Sequence, residues 1–162
     1  MIKILNRGFT LLEVMVAIGI LSIIVGLGYF SLRNTIINFR IKSLATRLKS
    51  ELRLAKLLSI SRTQRVGMLF SGGHLVSVFI DVDNDEAYTN GVDTKIKDID
   101  TLDYDVRFGS YGADAPDDGI SFTSDIAIFR PTGFAKPGSI YLQYKDTTKA
   151  RNYKTYRITV NI

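Results

Sequence analysis

An apolar block extends from Phe9 to Leu32, and its 24 residues include one charged side chain, Glu13. A helix needs about 20 residues to span a bilayer, so the block is long enough. It is longer than the apolar region of a secretory signal, about 7–15 residues, and no A-x-A cleavage site follows it. The sequence therefore predicts a transmembrane helix over residues 9–32, preceded by a polar leader at 1–8.

Glu13 needs a physical explanation, because a carboxylate deep in a membrane helix costs about 2.5–3.5 kcal/mol. One interpretation is that it lies near the lipid headgroups and is solvated there. The other is that it has a desolvated cationic partner, an arrangement best known for fixing the register between subunits. The composition of the block leaves both interpretations open.

The segment Arg7–Glu13, with the sequence RGFTLLE, resembles the processing signature of type IV prepilins and pseudopilins. The resemblance implies that a membrane prepilin peptidase cuts between Gly8 and Phe9 and methylates the new N-terminal amine. It also implies that Glu13, then the fifth residue, pairs with the N-terminal amine of a neighbouring subunit.

Residues 33–62 are predicted to continue the helix, now with an amphipathic pattern. Apolar residues recur every three or four positions, which is the helical period. The basic residues fall largely off that stripe, and no proline precedes Pro116. We interpret the basic residues as a surface that faces solvent or lipid headgroups, and a surface that binds nucleic acid is the alternative. The stripe consists of Ile37, Ile41, Leu44, Leu48, Leu52, Ala55 and Leu58.

Residues 63–162 are predicted to form a globular β head, because the hydrophobic period changes towards two. Val66–Phe70 and residues 74–81 flank a Ser-Gly-Gly turn and predict a hairpin. The acidic stretch between Asp81 and Val106 is predicted as loop. Further strands are predicted at 106–108, 120–122, 126–129, 139–144 and 153–160. The fold class is α+β, with the long helix packed on an antiparallel, β-sandwich-like head.

The head also resembles the GspH/FimT type of minor pilins and pseudopilins. The similar segments are residues 54–66, 78–83, 120–122 and 130–133. The resemblance implies a pilin-like fold and a subunit anchored in the bacterial inner membrane, with its head on the periplasmic side or beyond. It further implies other pilins or pseudopilins and the inner-membrane assembly platform as partners.

Three aspartates in alternate positions, Asp81, Asp83 and Asp85, resemble the start of a calcium loop. The pattern then departs from an EF-hand, because Glu86 stands where a turn glycine is needed. Val92 replaces the bidentate glutamate, and Asp93 comes one residue late. The sequence thus leaves two interpretations, a calcium ion bound by the three aspartates and a solvated acidic loop.

Charge is distributed in blocks along the chain. Residues 33–65 carry nine basic residues and one acidic residue. Residues 81–118 carry three basic and twelve acidic residues, and residues 130–162 carry seven basic residues and one acidic residue. In the last block basic residues alternate with tyrosines, a combination that can hold phosphates and stack bases. Some FimT-like minor pilins bind DNA, so DNA is a candidate ligand here, although a half-buried strand has the same pattern. The candidates are Lys145, Lys149, Arg151, Lys154 and Arg157.

Nothing in the sequence indicates catalysis. There is no cysteine, the single histidine, His74, adjoins a Gly-Gly turn, and no nucleophile elbow, Walker loop or HExxH motif occurs. We therefore predict a non-enzymatic minor pilin or pseudopilin that acts in assembly initiation or at the tip of a type II secretion pseudopilus or type IV pilus. The alternative is a DNA-binding minor pilin that serves DNA uptake.

Overall fold

The computed structural model describes residues 9–109, 116–146 and 153–161, and for residues 27–31 and 33 it describes the backbone alone. Internal contacts divide the chain into two units, one ending at Ile36 and the other spanning Ile37–Ile162. The leader at 1–8, including Gly8, lies outside the described residues. So do two of the predicted DNA-binding residues, Lys149 and Arg151.

One helix, α1, runs from Leu11 to Arg62. This confirms the prediction of a single helix ending near residue 62. In the first unit the described side chains of residues 9–26 are all exposed. No helix within the described residues combines the length and the apolarity needed to cross a bilayer. The transmembrane assignment of residues 9–32 stays a prediction.

In the second unit, the amphipathic stripe of α1 is buried as predicted. Ile41, Leu44 and Leu48 have no exposed surface, and Leu58 at the end of the stripe is partly buried. At the last turn, the buried Ser59 hydroxyl donates to the Arg130 carbonyl oxygen at 3.1 Å, which joins the helix to the head. Helical spacing thus placed one continuous apolar face against the core.

Seven strands are assigned within the described residues, in two antiparallel sheets. One sheet has the order β3-β2-β1-β5 and the other has the order β4-β6-β7. The bounds are β1 Arg65–Ser71, β2 Leu75–Asp81, β3 Thr94–Asp100, β4 Val106–Phe108, β5 Ile126–Phe129, β6 Gly138–Tyr144 and β7 Tyr156–Val160. The α+β prediction is confirmed.

Strand β3 was missed by the sequence analysis, which predicted loop there. It lies at the edge of its sheet, and among its seven residues only Ile99 is buried. Four of its residues are charged and two, Ile96 and Ile99, are apolar, as suits an edge strand that must resist pairing with other chains. The carboxylates of Asp98 and Asp100 are therefore on a strand rather than in a loop.

The predicted strand at 120–122 was wrong. Ile120 forms an isolated bridge with Ile140, and Phe122 then caps a short 3₁₀ turn at Thr123–Asp125. Both side chains are buried in the core, so burial, rather than membership of a β-strand, explains why these residues are apolar. The last strand begins at Tyr156 rather than at Tyr153.

Two apolar clusters fill the head. The larger one packs the stripe of α1 against residues of both sheets. The smaller one lies apart from it and consists of Phe79, Ile126 and Ile128, with Leu69 and Tyr88 against them. Tyr88 belongs to the segment between β2 and β3, and the centroid of its ring lies 5.1 Å from the centroid of the Phe79 ring. The acidic loop at 82–93 is thereby attached to the head.

Candidate functional site

The N-terminal end of α1 is built by a reciprocal pair of residues, Thr10 and Glu13. The Thr10 backbone N–H and hydroxyl both donate to Glu13 Oε2, at 2.9 Å and 3.0 Å. In return, the Glu13 N–H donates to Thr10 Oγ1 at 3.2 Å. This is a capping box, which satisfies backbone N–H groups that the first helical turn leaves free. It was not predicted above, although T-x-x-E before an apolar run is its known signal.

The side chains around this cap are apolar and solvent-exposed. Phe9 is 87% exposed, Leu11 82% and Leu12 73%. Exposure of large apolar side chains continues along the helix to Val25. A contiguous apolar surface of this kind marks contact with a membrane or with other proteins. The predicted processing residue Phe9 and pairing residue Glu13 thus lie on one exposed apolar segment.

The three predicted calcium ligands lie together where β2 ends. Asp81, Asp83 and Asp85 each offer an oxygen atom, and these atoms lie within 4.8 Å of one another. Asp81 is buried, whereas Asp83 and Asp85 are exposed. Burial raises the pKa of the Asp81 carboxyl, against the opposite effect of the hydrogen bond that the carboxylate accepts from the Glu86 backbone.

Glu86, next to these aspartates, is the centre of an ion-pair cluster. Its carboxylate lies 2.8 Å from Arg130 Nη2, 2.5 Å from Lys136 Nζ and 3.6 Å from Arg65 Nη1. Hydrogen bonds from Lys136 and Arg130 lower the pKa of Glu86 to about 2. The cluster joins the acidic loop to β1 and to the segment after β5.

Three of the predicted DNA-binding residues, Lys145, Lys154 and Arg157, lie in the part of the chain that the structure describes. Lys145 Nζ is held by Asp105 Oδ1 at 2.7 Å. The Arg157 guanidinium lies over the Tyr141 ring, 5.4 Å from its centroid. Lys154 is exposed, and its backbone N–H donates to Asn38 Oδ1 on α1 at 2.9 Å. Two of the three cations therefore already have partners within the head.

A basic groove between α1 and β7 includes one of these residues, Arg157. It has a volume of about 470 Å³ and is bordered by Phe129 of β5 and by residues 156–161. Basic residues of α1, Lys42, Lys49, Arg53 and Lys56, line its helical side together with Ala45 and Leu52. The amphipathic pattern placed these basic residues off the apolar stripe of α1, but no local pattern indicated that β7 would lie beside them.

Two parts of the chain match known sequence families. Residues 5–29 match the prokaryotic N-terminal methylation motif. Residues 44–162 match the family described as type II transport protein GspH. No curated protein matches the chain.

Among solved structures, the fold is similar to that of the minor pseudopilin EpsH from the type 2 secretion system of Vibrio cholerae. The two sequences are 14% identical, and the similarity covers 74% of this chain and 88% of that one, with a TM-score of 0.49.

Proposed function

The chain belongs to the GspH family of minor pseudopilins, and from that premise we propose that it is anchored in the bacterial inner membrane and assembles with other pseudopilins into a filament. As a minor subunit it would initiate assembly or lie at the tip, with its head on the periplasmic side. The filament we favour is a type II secretion pseudopilus, ahead of a type IV pilus. Subunits of this family are structural rather than catalytic.

The observation that carries the proposal is the exposed apolar segment of α1 with its capped N-terminus. An apolar helix that buries no described side chain of residues 9–26 against its own chain gains free energy by entering lipid or by packing against other helices. The matched methylation motif supports cleavage after Gly8 and methylation of Phe9. Cleavage would place the new amine one residue before Thr10.

Glu13 would then pair with the amine of a neighbouring subunit. Thr10 directs both of its donors to Oε2, and the capping box does not use Oε1. A second partner could therefore approach without first breaking the cap. A buried ion pair of this kind specifies subunit register.

Processing is tested first, in cells that contain prepilin peptidase. Intact-mass analysis of membrane-extracted protein should show the loss of residues 1–8 and the gain of one methyl group on Phe9. Gly8→Val should leave the leader attached. An intact leader on the unaltered chain would overturn the proposal.

Assembly is tested with two matched substitutions on α1. Glu13→Gln should be processed but should lose most of its cross-linking to other pseudopilins, because the neutral amide cannot pair with an amine. Glu51→Gln is the control, since Glu51 pairs with Lys97 of β3 within the head and should leave cross-linking unchanged. Equal cross-linking by the two variants would argue against pairing through Glu13.

The alternative function, DNA binding, is supported by the alternation of basic and aromatic residues near the C-terminus. Fluorescence anisotropy of the full chain in detergent should show binding that weakens steeply with salt, because bound phosphates release counterions. Alanine at Lys149, Arg151 and Lys154 should abolish it. Alanine at Lys42, Lys49 and Arg53 of α1 removes the same charge and is the control. Equal losses, or no binding at low salt, would contradict this alternative.

A further inference from the structure

The loop that connects β2 to β3 carries more negative charge than its surroundings neutralise. Asp81 ends β2, Asp83 and Asp85 follow at alternate positions, and their oxygen atoms lie within 4.8 Å of one another. Three carboxylates this close repel one another, and a cation between them removes that repulsion. The distances are those of atoms that could share one ion of the size of calcium, whose bonds to oxygen are about 2.3–2.6 Å long.

Asp81 is the residue that points to a ligand. Its side chain is almost completely buried, with 1% of its surface exposed. Oδ2 accepts the Glu86 N–H at 3.1 Å, but Oδ1 is buried and accepts no hydrogen bond. A buried carboxylate oxygen without a partner is costly, and buried charges in proteins are normally paired or bound to metal.

The nearby basic side chains do not fill this role. Arg130 and Lys136 form their ion pairs with Glu86, and Arg65 approaches Glu86 at 3.6 Å. The Arg65 guanidinium also donates to the Asn84 carbonyl oxygen at 2.5 Å. Within the part of the chain that the structure describes, no lysine or arginine forms an ion pair with any of the three aspartates.

The structure also accounts for two departures from a calcium loop. Glu86 stands where an EF-hand has glycine, and it does adopt the left-handed φ of +64° that the turn requires. Its ion pairs to Arg130 and Lys136 can offset the steric cost of that conformation. Asp93 lies outside the group of three aspartates, and its two oxygens accept the N–H groups of Val82 and Thr89 at 2.9 Å and 2.7 Å.

We propose that Asp81, Asp83 and Asp85 bind one calcium ion at the start of the β2–β3 loop. Calcium takes six to eight oxygen ligands, so loop carbonyl groups and water would complete the shell. Magnesium fits less well, since it requires a near-ideal octahedron with shorter bonds. Because Val92 replaces the bidentate glutamate, the expected Kd is in the weak range of extracellular calcium modules, about 10⁻⁴–10⁻³ M.

The test is a calcium titration of the full chain in non-ionic detergent, after dialysis against chelator. Calorimetry should show saturable binding with a Kd near that range. Calcium at about 10 mM should raise the melting temperature, followed by circular dichroism, by about 3–8 °C. Magnesium at the same concentration should produce a clearly smaller shift.

Two substitutions make the test specific. Asp83→Asn changes an exposed ligand and should keep the fold while weakening calcium binding at least about tenfold. Asp103→Asn removes one exposed charge from a 3₁₀ turn outside the loop and should bind calcium like the unaltered chain. Absence of any calcium response in the folded protein would overturn the proposal. Equal responses to calcium in the two variants, or to both metals in the unaltered chain, would also overturn it.

Discussion

Gly67 shows how a single residue determines local packing within a strand. It lies in β1 directly opposite Phe79 of β2. A Cβ atom at this position would come closer than 3.0 Å to three atoms of the Phe79 ring. Phe79 has no exposed surface and packs in the smaller apolar cluster. The aromatic ring therefore occupies the space that the missing side chain leaves.

We predict that Gly67→Ala destabilises the head by about 1–3 kcal/mol, because overpacking forces a confined ring to shift. Chemical denaturation followed by circular dichroism measures the change. In the double variant with Phe79→Leu, the smaller side chain should accommodate the new methyl group. The loss should then be less than the sum of the two single losses. Additive losses would show that the two residues do not compete for space.

Asp125 carries a charge in an unfavourable environment. Its φ is +57°, a conformation that aspartate and asparagine both adopt more readily than most residues, so asparagine fits the same backbone. Burial raises the pKa of its carboxyl, and the neighbouring Asp118 adds to the effect. The ionised form therefore destabilises the folded state at neutral pH, and this penalty is lost as the pH falls through the raised pKa.

Asp125→Asn should accordingly raise the melting temperature at pH 7 by about 1–3 °C. The advantage should shrink towards about pH 3, where the native carboxyl is protonated as well. Thermal melts across this range measure it. A variant that is less stable at pH 7 would show that the negative charge has a favourable partner.

At the scale of secondary structure, α1 is held on the head by its apolar stripe. Leu48 on the stripe is completely buried, whereas Leu57 off the stripe is 63% exposed. Both residues are leucines of one helix, so the same substitution at the two sites isolates the effect of burial.

We expect Leu48→Ala to reduce the free energy of unfolding by about 2–5 kcal/mol, through lost burial and the cavity left behind. Leu57→Ala should change it by less than about 0.5 kcal/mol. Denaturant titration of the two variants gives both values. Similar losses at both sites would mean that the helix does not pack on the head through this stripe.

Asp105 joins three elements. Its carboxylate pairs with Arg40 of α1 and with Lys145, which follows β6, while its backbone ends a 3₁₀ turn. The Lys145 hydrogen bond, with the positive charges of Lys145 and Arg40, lowers the pKa of Asp105 below its ordinary value of 3.8. The pairs therefore stabilise the fold above that pH, and their contribution is lost as the pH falls through the lowered pKa.

Asp105→Asn should cost about 0.5–1 kcal/mol at pH 7, a modest value because Arg40 and Lys145 remain half exposed. Asparagine tolerates the φ of +58° at this position, so the substitution tests the charge rather than the turn. Melting temperatures should converge with those of the unaltered chain near pH 2. A constant difference across pH would assign the effect to packing.

Across the molecule, the two units differ in whether their apolar side chains are buried. Every residue of the main core lies at or after Ile37. The described side chains of residues 9–26 are exposed. The second unit, residues 37–162, thus contains its own core. Under the proposed function, the apolar segment before it contributes to membrane contact and assembly.

A variant that begins at residue 34 should therefore unfold cooperatively, with a melting temperature within about 2 °C of the full chain in detergent. It should also remain in the soluble fraction when cells are separated into membrane and soluble parts. Loss of cooperative unfolding would show that the head depends on the N-terminal segment.

Elements with a strong local pattern were predicted well. The period of the apolar residues indicated α1 and its buried face, and turn glycines between alternating residues indicated the β1–β2 hairpin. Local signals failed where tertiary contacts decide. Strand β3 forms because β2 offers it a partner edge, although its own residues are mostly charged and exposed. Ile120 and Phe122 are apolar because they are buried, not because they belong to a β-strand.

The long helix and the α+β class could be predicted from the order of residues alone, because hydrophobic periodicity is a property of neighbouring residues. The folded chain, by contrast, sets how the charges pair. It brought Lys145 to Asp105 and three cations to Glu86, and it left Asp81 Oδ1 buried without a hydrogen bond. Electrostatic pairing depends on distances between residues far apart in the chain, and those distances are set by the packing of the core.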